Sequence, residues 1–353
     1  MDINKIDENL VLKRVTETDI VWHNPNNAPF SVHGVFYEND EYIRLPRKIA
    51  KTISNGVHYL SGFTAGGRIR FVTNSKHIAL RVVAPKSFDI MLHMPIAGEY
   101  GFSVYVDGKF LSFIAPDQFD IIDKNPIVYD GIIKLDEKTH EIEIYFPLYY
   151  TISEVLIGLS SNAIIEKHPP YKHSAPIVFY GSSITQGGCA SHAGNDYISI
   201  LSRWLNSDII NLGFSGSAKG EQEMADYLAT LCASIFVIDY DNNAPTVEHL
   251  KNTHFKLYET IRKKHALTPI VMISRPNTDT TKDFKARREV IKNTIKRAID
   301  LGDKNVYFID GETLFGKKDR DACTVDGCHP NDLGFYRMAE TIYPMLKNIL
   351  EEN

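Results

Sequence analysis

The rhythm of apolar and polar positions changes once along this chain. From about residue 9 to residue 159 the apolar residues recur with a period of two. Ile69 and Phe71 alternate with Arg68 and Arg70; Ile78, Leu80 and Val82 alternate with His77, Ala79 and Arg81; Ile142, Ile144 and Phe146 alternate with Glu141, Glu143 and Tyr145. Successive side chains of a strand leave opposite faces, so this alternation marks half-buried antiparallel strands. Val106-Asp107-Gly108-Lys109 reads as a turn between two of them. No long amphipathic helix interrupts the region. Several short strands in this span predict an all-β sandwich of jelly-roll type over residues 1–165.

Residues 166–174 are polar and carry Pro169-Pro170, which can neither donate to a strand ladder nor continue a helix. They read as a linker. Beyond it, over 175–353, apolar strand-like runs at 177–180, 209–212, 235–240, 270–274 and 306–309 alternate with helical patterns near 193–206, 220–231, 246–265, 283–301 and 333–351. Strands alternating with helices predict an α/β domain: a five-stranded, flavodoxin-like parallel sheet covered on both faces. Reactive sites in such sheets lie beyond the carboxyl ends of the strands, so any catalytic motif should fall just after a strand.

Composition narrows the function classes. The chain has 353 residues, 43% hydrophobic and 24% charged, enough apolar material for two cores. A net charge of −5 leaves no basic footprint for nucleic acid or an anionic membrane. No run approaches the roughly 20 apolar residues of a membrane span. The start, MDINKIDENL, lacks a charged segment followed by an apolar one. A cytoplasmic protein is expected, secreted only if a signal peptide has been removed. Four cysteines in a chain this long need no disulfides. Cys323, Cys328 and His329 raise the question of zinc, but the second ligand pair that such sites use is missing. No metal and no organic cofactor is expected.

Four motifs carry chemistry. Gly181-Ser182-Ser183-Ile184-Thr185 follows the first of the late strands, where a tight turn can expose a serine hydroxyl. That hydroxyl needs a base within hydrogen-bond reach to become a nucleophile. Asn211-Leu-Gly213-Phe-Ser-Gly216 follows the second strand, and its glycines let backbone N–H groups approach a ligand. Asp241-Asn242-Asn243 follows the third, where an asparagine amide could join the Gly216 N–H in holding an oxyanion. Asp326-Gly-Cys-His329-Pro330-Asn331 precedes the last helix and puts a carboxylate and an imidazole on one loop. There, His329 can take the serine proton while Asp326 fixes its tautomer. Taken singly, each is ordinary turn or cap punctuation. Their order, each at a strand end or before the final helix, is what gives them weight.

That order resembles the SGNH/GDSL hydrolase superfamily over residues 175–350. The longer string YGSSITQGGCASHAGNDY followed by INLGFSG is similar to two-domain SGNH esterases with a β-sandwich beside the catalytic domain, several of which deacetylate plant polysaccharide fragments. Gly101-Phe102-Ser103-Val104-Tyr105-Val106 looks like a divergent GxDLY-type segment of their N-terminal domain. The resemblance implies Ser183 as nucleophile, His329 and Asp326 as its partners, and an oxyanion hole from the N–H groups of Ser183 and Gly216 with an asparagine amide. Two positions depart from the pattern. Ser182 stands where the GDSL tetrad has Asp, a change also met in this subgroup. The third block reads Asp241-Asn242-Asn243-Ala244 rather than G-x-N-D, which makes Asn243 the first choice and Asn242 the second.

The activity implied is removal of acetyl groups from xylan- or mannan-derived oligosaccharides through an acyl-enzyme. A small acetylated carbohydrate is the expected partner, with no nucleic acid and no membrane. Tyr171, Tyr197 and Trp22 are candidates for stacking on sugar, with interdomain packing as the plainer alternative. A thioesterase or lysophospholipase on the same fold, and a non-catalytic carbohydrate-binding protein, are the competing readings. The sugar, the hydroxyl position, the need for Asp326 and the choice between monomer and homo-oligomer stay open at this level, as does whether the sandwich binds glycan or only walls the cleft.

Overall fold

The computed structural model describes residue 6 and residues 11–85, 91–121, 125–279 and 281–352. Most of the opening decapeptide, over which the lack of a signal sequence was read, lies outside the described residues.

The period-two segments form two antiparallel sheets. One runs in the order Val21–His23, Glu154–Leu159, His77–Ala84, Ile127–Lys134. The other runs Ile165–Glu166, Arg68–Thr73, His140–Tyr145, Phe102–Val106, Lys109–Ile114, with Ser31–His33 also paired to Arg68–Thr73. Ile69, Phe71, Val104, Ile142 and Ile144 from the second sheet meet Ile78, Leu80, Val82, Val155 and Ile157 from the first in one buried cluster. Ile69, Phe71, Ile78, Leu80, Val82, Ile142 and Ile144 are apolar members of the alternating pairs, so the pattern tells which face turns toward this cluster. Two short helices, Arg47–Ile53 and Asn55–Leu60, interrupt the β region unannounced by its periodicity. Ser54 caps the second by accepting from the Val57 N–H at 3.1 Å.

From His173, inside the expected linker, onward the sheet is parallel, in the order Ser207–Gly213, His173–Gly181, Ile235–Asp239, Ile270–Ile273, Val306–Ile309. In chain order this is 2-1-3-4-5, the flavodoxin-like arrangement. Ile235–Asp239 is buried along its whole length, as a strand covered on both faces must be. The helices are Tyr197–Leu205, Gln222–Leu228, Val247–Lys264, Phe284–Asp300 and Asp332–Glu352. The first starts later than its apolar pattern because Asp196 caps it, accepting from the Ser199 N–H at 3.0 Å. No helix among the described residues is long and apolar enough to cross a membrane.

The two sheet systems meet along a polar seam. Arg68, fully buried on the sandwich, pairs with Asp208 at the head of a parallel strand, and His33 Nδ1 lies 3.0 Å from the other oxygen of Asp208. Arg203 lies over the ring of Tyr105 at 4.2 Å and donates to the Gly194 carbonyl at 2.7 Å.

Candidate active site

Three loops leave the parallel sheet from one level, because Gly181 is in register with Gly213 on one side and Asp239 on the other. The strand ending at Gly181 runs straight into a one-turn helix, Ser183–Gln186. Ser182 caps it reciprocally: its hydroxyl accepts from the Ile184 N–H at 3.2 Å, and its own N–H donates to Thr185 Oγ1 at 3.1 Å. Ser183 therefore occupies the first helical position, whose N–H has no acceptor within the helix. Gly213 lets this turn sit against the neighbouring strand, since a Cβ there would come within 2.2 Å of the Gln186 nitrogen.

His329 arrives from the loop before the last helix. Its Nε2 lies 2.9 Å from Ser183 Oγ, and its Nδ1 lies 2.7 Å from Asp326 Oδ2. The second oxygen of Asp326 accepts the N–H groups of Cys328 at 2.9 Å and His329 at 2.7 Å. Partial burial alone would raise the Asp326 carboxyl, but the hydrogen bonds from the His329 ring and these two N–H groups outweigh it and hold it down at about 2. An ionised Asp326 claims the Nδ1 proton, which leaves the Nε2 lone pair facing the serine hydroxyl. A Ser-His-Asp chain of this geometry can deprotonate an attacking hydroxyl and reprotonate a leaving group.

The loop after Gly213 forms the opposite wall. Ser215 N–H donates to Gln186 Oε1 at 3.1 Å, and the Ser217 and Ala218 N–H groups turn back to the Phe214 carbonyl at 3.0 and 3.2 Å. Gly216 sits between them, exposed, with φ of 63° and open space where a Cβ would be. Asn243 lies in the short turn Asp241–Asn243 and its Nδ2 donates to the Phe214 carbonyl at 2.8 Å, so its amide is the one that reaches this loop. The Asn242 amide nitrogen is buried and has no partner among the described residues.

The sandwich completes the surroundings with side chains that sequence reasoning missed. Tyr149 OH donates to the Ser183 carbonyl at 3.2 Å. Arg44, 1% exposed, donates to the carbonyls of Leu60 (2.9 Å), Phe63 (2.5 Å), Asn211 (3.1 Å) and Gly213 (2.7 Å), with its guanidinium 4.9 Å from the Phe214 ring centre. Burial among neutral carbonyls lowers its ionisation to about 9. It thus joins both sheet systems immediately behind the Gly216 loop. Gly56, in the second short helix, faces that loop so closely that a Cβ would lie 2.2 Å from Ser217 Oγ. Beside these elements opens a cavity of about 380 Å³ lined by Tyr59, Phe63, Met91, Glu99, Tyr149 and Ser215, among others.

Ser183, His329, Asp326, Gly216 and Asn243 are gathered here. The three proposed stacking residues are not. Tyr197 is wholly buried and its hydroxyl donates to Asp239 Oδ2 at 2.9 Å, so no ring face is free for a sugar. Tyr171 belongs to the polar seam: Arg70 covers its ring at 3.7 Å and Arg68 Nε donates to its hydroxyl at 3.0 Å. Trp22 lies on the four-stranded sheet under Arg81, 4.4 Å from its ring centre. All four cysteines are free thiols, and Cys323 is buried against the Phe315 carbonyl and Arg337 rather than joined to His329.

Residues 174–347 match the sequence model of the GDSL-like lipase/acylhydrolase family, and residues 20–165 match that of the N-terminus of SGNH-hydrolase-type esterases. No protein of curated function matches the chain significantly. Among solved structures, a protein of Bacteroides ovatus ATCC 8483 described as a GDSL-like lipase is 30% identical, with 94% of this chain and 98% of that one covered and a TM-score of 0.83. The salicylyl-acyltransferase SsfX3 of a tetracycline biosynthetic pathway is 19% identical over 94% and 98% of the two chains, with a TM-score of 0.75. A family two carbohydrate esterase from Clostridium thermocellum is 15% identical over 92% and 99%, with a TM-score of 0.64. The last two likenesses concern the fold. The chain belongs to the GDSL-like lipase/acylhydrolase family, with the N-terminal domain of SGNH-type esterases fused ahead of the hydrolase domain.

Proposed function

We propose that the protein is a serine esterase that removes acetyl groups from plant-polysaccharide-derived oligosaccharides of xylan or mannan type. The observation that carries the esterase reading is the unbroken chain from Ser183 Oγ through both ring nitrogens of His329 to Asp326, at 2.9 and 2.7 Å. Ser183 attacks the ester carbonyl as His329 takes its proton. The resulting oxyanion is held by the N–H groups of Ser183 and Gly216 and by the Asn243 amide, which has a second hydrogen beyond the one given to Phe214. Collapse expels the sugar hydroxyl, protonated by His329, and water then releases acetate by the same route. The carbohydrate part of the reading is supported by the fold shared with a family two carbohydrate esterase.

The aromatic-lined cavity beside Ser215 favours one second reading, hydrolysis of a longer acyl chain of the kind a thioesterase or lysophospholipase cleaves. A ladder of p-nitrophenyl esters from acetyl to octanoyl, run beside acetylated xylo- and manno-oligosaccharides, separates the two. The acetyl reading requires rates that fall with chain length and acetate release from at least one oligosaccharide. Rates that rise with chain length, with no acetate from either sugar, would replace it with the second reading.

A further inference from the structure

The base His329 has two neighbours that the hydrolytic cycle does not use. Cys189, 4% exposed, lies on the loop that follows the nucleophile helix. His93, exposed, comes from the sandwich just ahead of its one-turn helix Ile96–Glu99. One donor atom from each of His93, Cys189 and His329 can be chosen so that all lie within 4.8 Å of one another. The two imidazole centres are 5.8 Å apart.

Donors around a tetrahedral zinc ion stand roughly 3.3–3.6 Å apart, given bonds of about 2.0–2.3 Å. The separation to be closed is at most about 1 Å. Two imidazoles and a thiol form a borderline-soft set, suited to zinc and ill-suited to magnesium or calcium. His329 is already prepared as a ligand. Asp326 holds its Nδ1 at 2.7 Å, which is the carboxylate–histidine arrangement that orients metal-binding imidazoles through the opposite nitrogen. The catalytic geometry and a metal ligand's geometry are here the same geometry.

We propose that His93, Cys189 and His329 form a binding site for Zn²⁺ whose occupancy withdraws His329 from Ser183 and switches hydrolysis off. The ion accepts the Nε2 lone pair of His329, a lone pair of the neutral His93 ring, and the Cys189 sulfur, whose proton passes to solvent. Water fills the fourth position and no oxidation state changes. Because His93 belongs to the sandwich and the other two ligands to the hydrolase domain, the ion also ties one to the other across the site. The inhibitory consequence rests on His329 being the esterase's base; the binding of the ion does not.

Zinc binding to the metal-free protein is measured by calorimetry, cobalt(II) binding by absorption, and ester hydrolysis alongside with and without EDTA. One zinc ion per chain, inhibition reversed by EDTA, and a thiolate-to-cobalt charge-transfer band are expected. The band should vanish in Cys189→Ser and persist in Cys328→Ser. His93→Ala changes an exposed side chain outside the triad, so hydrolysis without zinc should be unchanged while zinc affinity and inhibition weaken by about tenfold or more. Absence of stoichiometric binding would overturn the site. So would a band that survives Cys189→Ser but is lost in Cys328→Ser, or inhibition indifferent to His93→Ala. Zinc binding with the expected variant pattern in a protein that hydrolyses no ester would uphold the site and sink the esterase reading. Active hydrolysis without zinc binding would do the reverse.

Discussion

The two sides of the Ser183 cleft are built by different rules. On the hydrolase side, each functional group sits within a few residues of a strand end or of the last helix, and its geometry is set locally. Ser182 caps its own turn, Asp326 accepts from the N–H of the histidine it orients, and Gly216 is flanked by N–H groups tied to nearby acceptors. On the sandwich side, the groups come singly from distant segments. Arg44 and Tyr149 reach sideways to backbone atoms of the other domain. In the proposed mechanism the first side supplies the reacting groups, and the second holds the backbone that carries them. A change on the first should therefore act on chemistry alone, whereas one on the second should act on position or stability.

The largest effect expected, short of removing the nucleophile, is on the orienting carboxylate. Asp326→Asn should lower kcat on the order of 10⁴-fold, as loss of the tautomer-fixing Asp does in serine proteases, with the melting temperature little changed. A drop of less than tenfold would mean that His329 is oriented by something else. Next comes the oxyanion wall. Asn243→Ala should reduce kcat about 10²–10³-fold and leave KM nearly alone. Asn242→Ala is the control, and a larger loss there would exchange their roles.

The comparison is sharpest between two buried arginines. Arg68 faces a carboxylate, and Arg68→Met should cost about 3 kcal/mol of stability by leaving Asp208 poorly paired, with kcat preserved in the folded fraction. Arg44 faces carbonyls of the sandwich side and of the strand that leads into the Gly216 loop, and Arg44→Met should shift that loop and lower kcat about 10²-fold. Urea titration and steady-state kinetics on both variants check this. Equal behaviour of the two would erase the distinction.

The smallest effect concerns pH. Burial pushes the Asp239 carboxyl up to about 7, although hydrogen bonds from Tyr197 and Thr185 pull it back. The folded state then holds a proton that the unfolded state, near 3.8, has released, so stability falls as pH rises from about 4 to 7. Asp239→Asn should flatten that fall, read from urea midpoints at both ends of the window. An unchanged slope would show that Asp239 ionises normally in the fold.

The same contrast explains what could be read from the sequence. Period-two runs in the first half and apolar runs alternating with helices in the second carried the architecture, because burial face and period are local properties. The candidate residues Ser183, Gly216, Asn243, Asp326 and His329 could be picked out, whatever their roles, because strand ends announce themselves. Arg44 was not. It lies in Glu41-Tyr-Ile-Arg44-Leu-Pro-Arg47, a string that reads as surface, and half of its carbonyl partners come from a chain segment more than 160 positions away. Tyr197 failed the other way. An aromatic at a helix start looks available, yet its hydroxyl finds Asp239 and its ring the core. The helices at 47–60 escaped because they have too few turns to impose a period.

The function proposed for the cleft depends on Ser183 being the nucleophile of an acetyl-carbohydrate esterase. Acetate release from acetylated xylo- and manno-oligosaccharides by wild type and Ser183→Ala tests it most directly. Wild type should release acetate from at least one of the two, and the variant should lose on the order of 10⁶-fold, which amounts to none detectable. Release by the variant at the wild-type rate would contradict it.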